Sequence, residues 1–389
     1  MNVSIGDVGL RVPRVLLPSR GISLERFAVI ACDQFSSRPE YWDEAERLVG
    51  DAPSTLRLIL PEARLDSEQS GAAERIGKTA ERYLAMSELE DVGETFVYVK
   101  RQTVAGVRRG LVAAFDLEQY DCSSGAHSLI RATEGTVASR LPAREKIRAA
   151  SPLELPHVMV LIDDVQDELF SMLESRSADF APLYDFELML GGGHISGARC
   201  DDAETHRKIG DILAKLRECA DGFLFAMGDG NHSFAAAKQY WEKLKPSLSE
   251  QARGNHPARF ALAELVNIHD SGLSVEPIHR LLCGVNPAAA IEELKINPDC
   301  PPPLSELQPL LDKFVSQHEG ASLDYIHGAD ECRELAQKTA DRLAVVYSSF
   351  ERSSIFSEVA RSGALPRKSF SLGEAKDKRY YLESRIIRV

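Results

Sequence analysis

The residues with the clearest chemical potential form a short polar turn, Gly228 to Ser233, within the stretch FLFAMGDGNHSFAAAKQYWEKL. An apolar run, Phe223 to Met227, precedes the turn, and the apolar spacing from Phe234 to Leu244 predicts a helix after it. The first amides of a helix have no acceptor within the helix, and they lie at the positive end of the helix dipole. The turn therefore predicts a site for an anion such as phosphate.

Each residue of the turn has a role in this hypothesis. Glycine permits a positive φ and lets the backbone approach a ligand closely, which are the expected roles of Gly228 and Gly230. Asp229 is a candidate ligand for a Mg²⁺ ion carried by the phosphate, or it positions a nucleophile. His232 would donate to a transferring oxygen. The side chains that add hydrogen-bond donors beside the phosphate oxygens are Asn231, His232 and Ser233.

A structural alternative explains the same residues without a ligand. Aspartate, asparagine and serine are preferred helix caps, so the turn is also typical of a capped strand-to-helix connection. Two familiar phosphate-binding motifs are excluded, because the turn fits neither G-x-x-x-x-G-K-[ST] nor G-x-G-x-x-G. The residue types leave both interpretations open.

Further candidates lie outside the turn. The stretch SLIRATEGTVASRLPAREKIR is basic within an acidic chain, and it contains Arg131, Arg140 and Arg144. His194, in GGGHISG, is either a donor to a ligand or part of a glycine-rich hairpin. The stretch SFSLGEAKDKRYYLESR is either a solvated charged surface or a clamp on an anionic ligand; its basic residues include Lys376, Lys378 and Arg379.

The elements that must position these residues predict an α/β protein of mixed α+β type. Alternating apolar residues predict a hairpin from Phe96 to Phe115 and a strand from Thr55 to Leu60. Continuous apolar runs predict buried strands over Phe27–Asp33, His157–Asp164 and Phe260–Asp270. The length of 389 residues predicts two or three lobes, which we divide at 1–150, 151–296 and 297–389, with NPDCPPPLSEL as a linker.

Composition argues against several classes of protein. An apolar fraction of 44% is ordinary for a globular protein, whereas a net charge of −13 disfavours binding to nucleic acid or to an anionic membrane. The sequence shows no signal peptide and no apolar stretch of about 18 residues, the length expected of a membrane span. The seven cysteines include no C-x-x-C pair, which favours reduced thiols and a cytoplasmic location. The oligomeric state is left open.

Longer stretches resemble an uncharacterised family, the domain of unknown function numbered 1015. They include SLIRATEGTVASRLPAR, LYDFELMLGGGHISG, FAMGDGNHSFAAAKQYWE and NHPARFALAELVNIHD, and the resemblance runs from about residue 12 to the C-terminus. The turn is also similar to the Asp-Gly-His-His-Arg signature of the ParB/sulfiredoxin-like superfamily, which opens a helix and contacts nucleotide phosphates. This resemblance implies a ParB/sulfiredoxin-like strand–turn–helix element within a larger mixed-sheet protein.

The signature is matched only in part. Asp229 and Gly230 match its first two positions and His232 matches its second histidine, but Asn231 replaces the first histidine. Ser233 replaces the arginine, which would grip the phosphate. The candidates to replace that cation are Arg131, Arg140 and Arg144.

Some members of this superfamily resemble free-serine kinases, in which a glutamate upstream of the signature is the base. In the stretch ATEGT, Glu134 occupies the comparable position, with Thr133 where a histidine is usual. The resemblance implies a phosphotransferase that uses ATP or ADP with Mg²⁺ on a small hydroxyl-bearing metabolite, with Glu134, Asp229 and His232 as catalytic residues. The alternatives are a non-catalytic sensor of a small anionic ligand and a ParB-like nucleic-acid-binding protein or nuclease.

Overall fold

The computed structural model describes residues 3–31, 35, 39–61, 64, 69–123 and 125–388. The helices are α1 (Leu24–Phe27), α2 (Pro39–Val49), α3 (Gln69–Ala85), α4 (Leu141–Ala150), α5 (Glu168–Arg176), α6 (Ala203–Cys219), α7 (Asn231–Leu244), α8 (Glu250–Asn255), α9 (Pro287–Leu294), α10 (Leu304–Gln317), α11 (Ala329–Gln337) and α12 (Ser354–Ser362). The strands are β1 (Leu10–Arg11), β2 (Arg14–Pro18), β3 (Val29–Ile30), β4 (Leu89–Glu94), β5 (Phe96–Gln102), β6 (Val107–Asp116), β7 (Tyr120–Asp121), β8 (Ile130–Arg131), β9 (Leu153–Glu154), β10 (Met159–Ile162), β11 (Pro182–Glu187), β12 (His194–Cys200), β13 (Phe225–Asp229), β14 (Phe260–Asn267), β15 (Val275–Cys283), β16 (Ser322–His327), β17 (Arg342–Val345), β18 (Phe370–Leu372), β19 (Tyr380–Tyr381) and β20 (Arg385–Ile386). The predicted mixed α+β class is confirmed.

The chain divides by its contacts into two compact units. The first consists of Met1–Ala132, Thr136–Leu273 and Gly373–Val389, and the second of Thr133–Gly135 and Ser274–Leu372. Each unit joins parts of the chain that are far apart in sequence, so its boundaries differ from the predicted divisions after residues 150 and 296. The proline-rich stretch predicted as a linker, residues 297–307, lies within the second unit.

A large mixed sheet organises the first unit. Among the described residues its strands follow the order β11-β12-β5-β6-β14-β10-β13-β8-β7, and β1 also pairs with β6. Successive side chains of a strand point to opposite faces, so Phe96 and Tyr98 of β5 join one apolar core and Val97 and Val99 join another. Helices α6 and α7 contribute to the first core and α3 to the second, so the sheet is covered on both faces.

The second unit has a small antiparallel sheet. β15 lies between β16 and β17, and β18 pairs with the first residues of β15. Its core is formed by apolar residues of β15 and β17 together with those of α9 and α10, which include Leu282, Leu311, Phe314 and Val345.

Several predicted elements differ from those observed. The hairpin prediction is confirmed by β5 and β6, which pair antiparallel. The strand predicted from Thr55 to Leu60 is wrong, because Thr55–Arg57 is a 3-10 turn that Ser54 caps by accepting the Leu56 amide at 3.2 Å. Of the strand predicted over Phe27–Asp33, Val29–Ile30 is a strand, while Cys32 and Asp33 lie outside the described residues.

No helix in the described part of the chain is long and apolar enough to cross a membrane. The cysteines within the same ranges are free thiols, namely Cys122, Cys200, Cys219, Cys283, Cys300 and Cys332.

Candidate functional site

The predicted turn joins β13 directly to α7. Asp229 is the last residue of β13, and α7 begins at Asn231, three residues before the predicted start at Phe234. Gly230 lies between them with φ 76°, in the left-handed region that favours glycine. A Cβ at Gly230 would lie 2.9 Å from Val158 Cγ2, so packing also requires glycine at this position. Asn231, His232 and Ser233 therefore form the first turn of the helix.

The start of α7 is not capped by a side chain. Gly230 is the N-cap residue, no side-chain cap is present, and the amides of Ser233 and Phe234 both donate to the Gly230 carbonyl at 3.0 Å. The Asp229 carboxylate accepts the Gly230 amide at 2.8 Å through Oδ1. Glycine has no side chain that could cap the helix, so the anion site and the plain strand-to-helix connection both stay open as interpretations of the turn. The positive end of the 14-residue helix lies at this half-buried polar turn.

Neighbouring residues hold Asn231 and His232 in position. Asn231 Oδ1 accepts the Tyr120 hydroxyl at 3.2 Å, and its Nδ2 donates to Thr136 Oγ1 at 3.4 Å. His232 Nε2 accepts the Val137 amide at 3.2 Å, so this nitrogen carries a lone pair and not a proton. A proton donated by His232 would therefore come from Nδ1.

A histidine that the sequence hypothesis did not include contacts Ser233. The Ser233 hydroxyl lies 3.1 Å from His157 Nε2, and the His157 ring meets Tyr381 edge-on at 5.2 Å. His157 precedes β10, whose Met159 pairs with Asp229 across the sheet. The strand pairing brings His157 to the turn, and one sequence does not reveal that pairing.

Asp229 is also part of an ion pair. Its Oδ2 lies 3.2 Å from Lys378 Nζ, so both carboxylate oxygens have a partner. The Lys378 side chain is 6% exposed and that of Asp229 is 33% exposed. Lys378 belongs to the basic C-terminal stretch, for which the sequence left two interpretations, a solvated charged surface and a clamp on an anionic ligand.

The three arginines proposed as replacement cations lie on β8 and around the start of α4, and their role at the turn stays a prediction. Arg131 ends β8, and its guanidinium lies 4.4 Å from the centre of the Phe223 ring, two residues before β13. Burial lowers the pKa of Arg131. Arg140 precedes α4 and Arg144 lies within it, donating to the Arg140 carbonyl at 3.0 Å. Helix α4 packs against α7, which carries this basic stretch alongside the helix.

His194 is not brought to the turn. It begins β12, and its Nε2 lies 2.7 Å from Asp185 Oδ1 on the neighbouring strand β11. The strands β5, β6, β14 and β10 separate β12 from β13. Four strands therefore lie between His194 and the turn in the order of the sheet, and its role as a donor to a ligand stays a prediction.

Glu134 belongs to the second unit. Its Oε1 accepts the Ser369 amide at 3.2 Å, and the Thr133 carbonyl before it accepts the Leu365 amide at 2.7 Å. Burial raises the pKa of Glu134, and this effect is opposed by Lys368 and Arg280. Its role as general base stays a prediction.

The described residues contain no group of three or more histidine, cysteine or acidic side chains that could hold a metal ion. A Mg²⁺ ion at Asp229 would therefore depend on phosphate oxygens and water for its other ligands. That site stays a prediction from the sequence.

Residues 16–348, most of the chain, match the family described as Protein of unknown function (DUF1015). The chain belongs to this family. No curated protein matches the chain.

Solved structures share partial similarity with this DUF1015 protein. SbnI with a C-terminal truncation, from Staphylococcus aureus, is 10% identical with a TM-score of 0.36, over 69% of this chain and 85% of that chain. A free serine kinase variant in complex with ADP is 13% identical with a TM-score of 0.29, over 59% and 90%. A conserved hypothetical protein from Pyrococcus furiosus is 14% identical with a TM-score of 0.27, over 59% and 90%.

Proposed function

We propose that this DUF1015 protein binds the phosphates of ATP or ADP at the start of α7 and is a phosphotransferase acting on a small hydroxyl-bearing metabolite. The observation that carries the proposal is the 14-residue helix that begins at a left-handed glycine without a side-chain cap. Such a helix end attracts an anion through its amides and its dipole. We further infer that the turn is a variant of the ParB/sulfiredoxin-like signature.

The first turn of α7 supplies the groups that would hold phosphate. Residues Asn231 to Ser233 form the first turn of α7, at the positive end of the helix, and Ser233 adds a hydroxyl there. Asp229 would hold Mg²⁺ through Oδ2, which would require its contact with Lys378 to open. The bound nucleotide would supply the phosphoryl group, and Mg²⁺ would neutralise part of its charge.

Glu134 is the proposed general base, which would accept the proton of the metabolite's hydroxyl group. A positioned base contributes about 10²–10⁴-fold to the rate. The raised pKa of Glu134 brings it closer to neutrality, which suits a base that must take up a proton. E134Q is therefore expected to keep nucleotide binding and to lose turnover by at least about 100-fold.

A non-catalytic sensor of a small anionic ligand is the second candidate. Both carboxylate oxygens of Asp229 already have partners, so the turn could bind an anion without a metal ion. A coupled assay of nucleotide consumption over a panel of hydroxyl-bearing metabolites separates the two functions. A sensor would bind and show no turnover with any of them. For either function we propose a small-molecule partner and a cytoplasmic location.

A thermal-shift panel of ATP, ADP, AMP and adenosine, each with and without Mg²⁺, tests the binding proposal. A ligand at 100 times its Kd stabilises the folded chain by about 2.7 kcal/mol, which corresponds to several degrees in Tm. We expect ATP or ADP to raise the Tm more than adenosine does. Equal Tm values with all of these compounds would contradict the proposal.

A further inference from the structure

The C-terminal segment, Gly373–Val389, is held in the first unit by arginines of the central sheet. Arg101 of β5 donates to the carbonyls of Lys376 and Lys378 at 2.5 Å and to that of Gly192 at 2.9 Å. Arg108 of β6 donates to the Asp377 carbonyl at 2.9 Å. Both arginines are almost fully buried, at 1% and 2% exposure. Two buried cations therefore fix the backbone on both sides of Lys378.

Arg101 remains charged at neutral pH. Burial and the neighbouring Arg108 lower the pKa of Arg101 to about 10, which is still well above neutrality. The Tyr380 ring also lies 4.9 Å from the Arg101 guanidinium. A buried guanidinium matched to carbonyl oxygens is costly to disturb, so the segment has one preferred position.

The residue after Lys378 adds a second anchor. The Arg379 guanidinium lies 2.7 Å from Glu264 Oε2 and 2.5 Å from Glu383 Oε2, and all three side chains are at most 2% exposed. With the carbonyl of Lys378 and the side chain of Arg379 both fixed, the Lys378 side chain extends to Asp229. Its ammonium group is therefore placed at the junction of β13 and α7 by three buried arginines.

Lys378 brings a positive charge to the turn, whose residues 228–233 include no lysine or arginine. Ser233 has no charge, and it stands where the similar signature has an arginine. Lys378 Nζ instead lies 3.2 Å from the carboxylate of Asp229, the residue just before the glycine that opens α7. Lysine is a common phosphate-binding cation, and its ammonium has three donors.

We propose that Lys378 is the phosphate-binding cation of this site, and that Arg101 and Arg108 are its positioning residues. The inference deepens the proposed function, because it rests on phosphate binding at the start of α7. A phosphate at the turn would meet the amides of α7 from one side and the Lys378 ammonium from the C-terminal segment. Asp229 then holds the lysine in place before the ligand arrives.

Isothermal titration with ADP, inorganic pyrophosphate and adenosine tests Lys378. We expect K378Q to weaken ADP and pyrophosphate binding about tenfold to a hundredfold, the range for a hydrogen bond to a charged group, and to leave adenosine binding unchanged. K378R keeps the charge, so it should retain most of the affinity. K376Q is the matched control, because Lys376 is exposed and lies two residues away in the same segment.

The outcomes separate the two proposals. If the wild-type chain binds ADP and K378Q binds it equally well, the role of Lys378 is wrong while the proposed function stands. If the wild-type chain binds neither ADP nor pyrophosphate, both proposals are wrong. If K378Q does not fold, K378R decides: an affinity within about threefold of wild type supports a role for the positive charge, and wild-type affinity in a folded K378M variant overturns it.

A double-mutant cycle tests the positioning role of Arg101. R101K should weaken ADP binding in the wild-type background and have no further effect in the K378Q background, because Lys378 is then absent. A purely structural Arg101 would lower the Tm without changing the affinity for ADP. Equal effects of R101K in both backgrounds would also overturn the positioning role.

Discussion

At the residue scale, the hydrogen-bond partners of the side chains in the turn determine which atoms carry a proton and can donate it. The Val137 amide reaches His232 Nε2 at 3.2 Å, which leaves Nδ1 as the nitrogen that can carry the proton. Tyr120 is 2% exposed, and burial raises its pKa well above the usual value, so its hydroxyl stays a donor to Asn231. These contacts orient the polar groups at the start of α7 before any ligand binds. Less free energy is then lost in ordering these side chains when a ligand binds.

The pH dependence of stability should reveal the environment of Glu134. Its pKa is raised by burial, so the folded chain holds the proton more tightly than the unfolded chain does. The resulting contribution to stability is present at low pH and is lost as the pH rises through the folded pKa. E134Q cannot ionise, so its free energy of unfolding relative to wild type should increase between pH 4 and pH 8. Urea denaturation at several pH values measures this difference.

The control for E134Q is E306Q, a change at an exposed glutamate of the same unit. Its free energy of unfolding relative to wild type should stay nearly constant over the same pH range. If the free energy of unfolding of E134Q relative to wild type is constant, or falls as the pH rises, burial does not raise the pKa of this carboxyl group.

At the element scale, the junction of β13 and α7 depends on Gly230. The G230A variant combines strain at φ 76° with a Cβ that would lie 2.9 Å from Val158 Cγ2. G222A is the matched control, because Gly222 has φ 84° and nothing lies within 4 Å of its Cβ position. We expect G222A to cost about 1 kcal/mol of stability and G230A about 2–3 kcal/mol, measured by urea denaturation. Equal losses would mean that packing against Val158 is unimportant.

The same junction shows what a sequence can predict about an element. The apolar run and the apolar spacing correctly predicted a strand, a turn and a helix in that order. The helix start was placed three residues late, because Asn231, His232 and Ser233 are polar and extend no apolar pattern. The Thr55–Leu60 strand failed for a related reason, since a local cap by Ser54 outweighed the alternation of apolar residues.

At the scale of the whole molecule, the site depends on parts of the chain that are distant in sequence. Asp229 follows β13, His157 precedes β10, and Lys378 lies in the C-terminal segment. Residue types predicted the turn, but they did not predict which cation reaches it. That assignment depends on strand order and on the buried contacts of Arg101, which no local pattern encodes.

The overall charge of −13 leads to a prediction about nucleic acid. Protein–DNA contacts need a basic surface, and even non-specific binding has a Kd of about 10⁻⁴–10⁻⁶ M at physiological salt. We expect fluorescence anisotropy with a labelled duplex to detect no binding tighter than about 10⁻⁴ M. Tighter binding that weakens as salt is added would favour a ParB-like nucleic-acid-binding function over a small-molecule enzyme.

The proposed chemistry requires that the start of α7, together with Lys378, binds the phosphates of a nucleotide. The most direct measurement is a crystal structure of the wild-type chain with ADP. We expect phosphate oxygens within about 3.2 Å of the amides of Asn231 and His232 and of Lys378 Nζ. ADP bound with its phosphates at any other part of the chain, and the turn filled by protein or water alone, would contradict it.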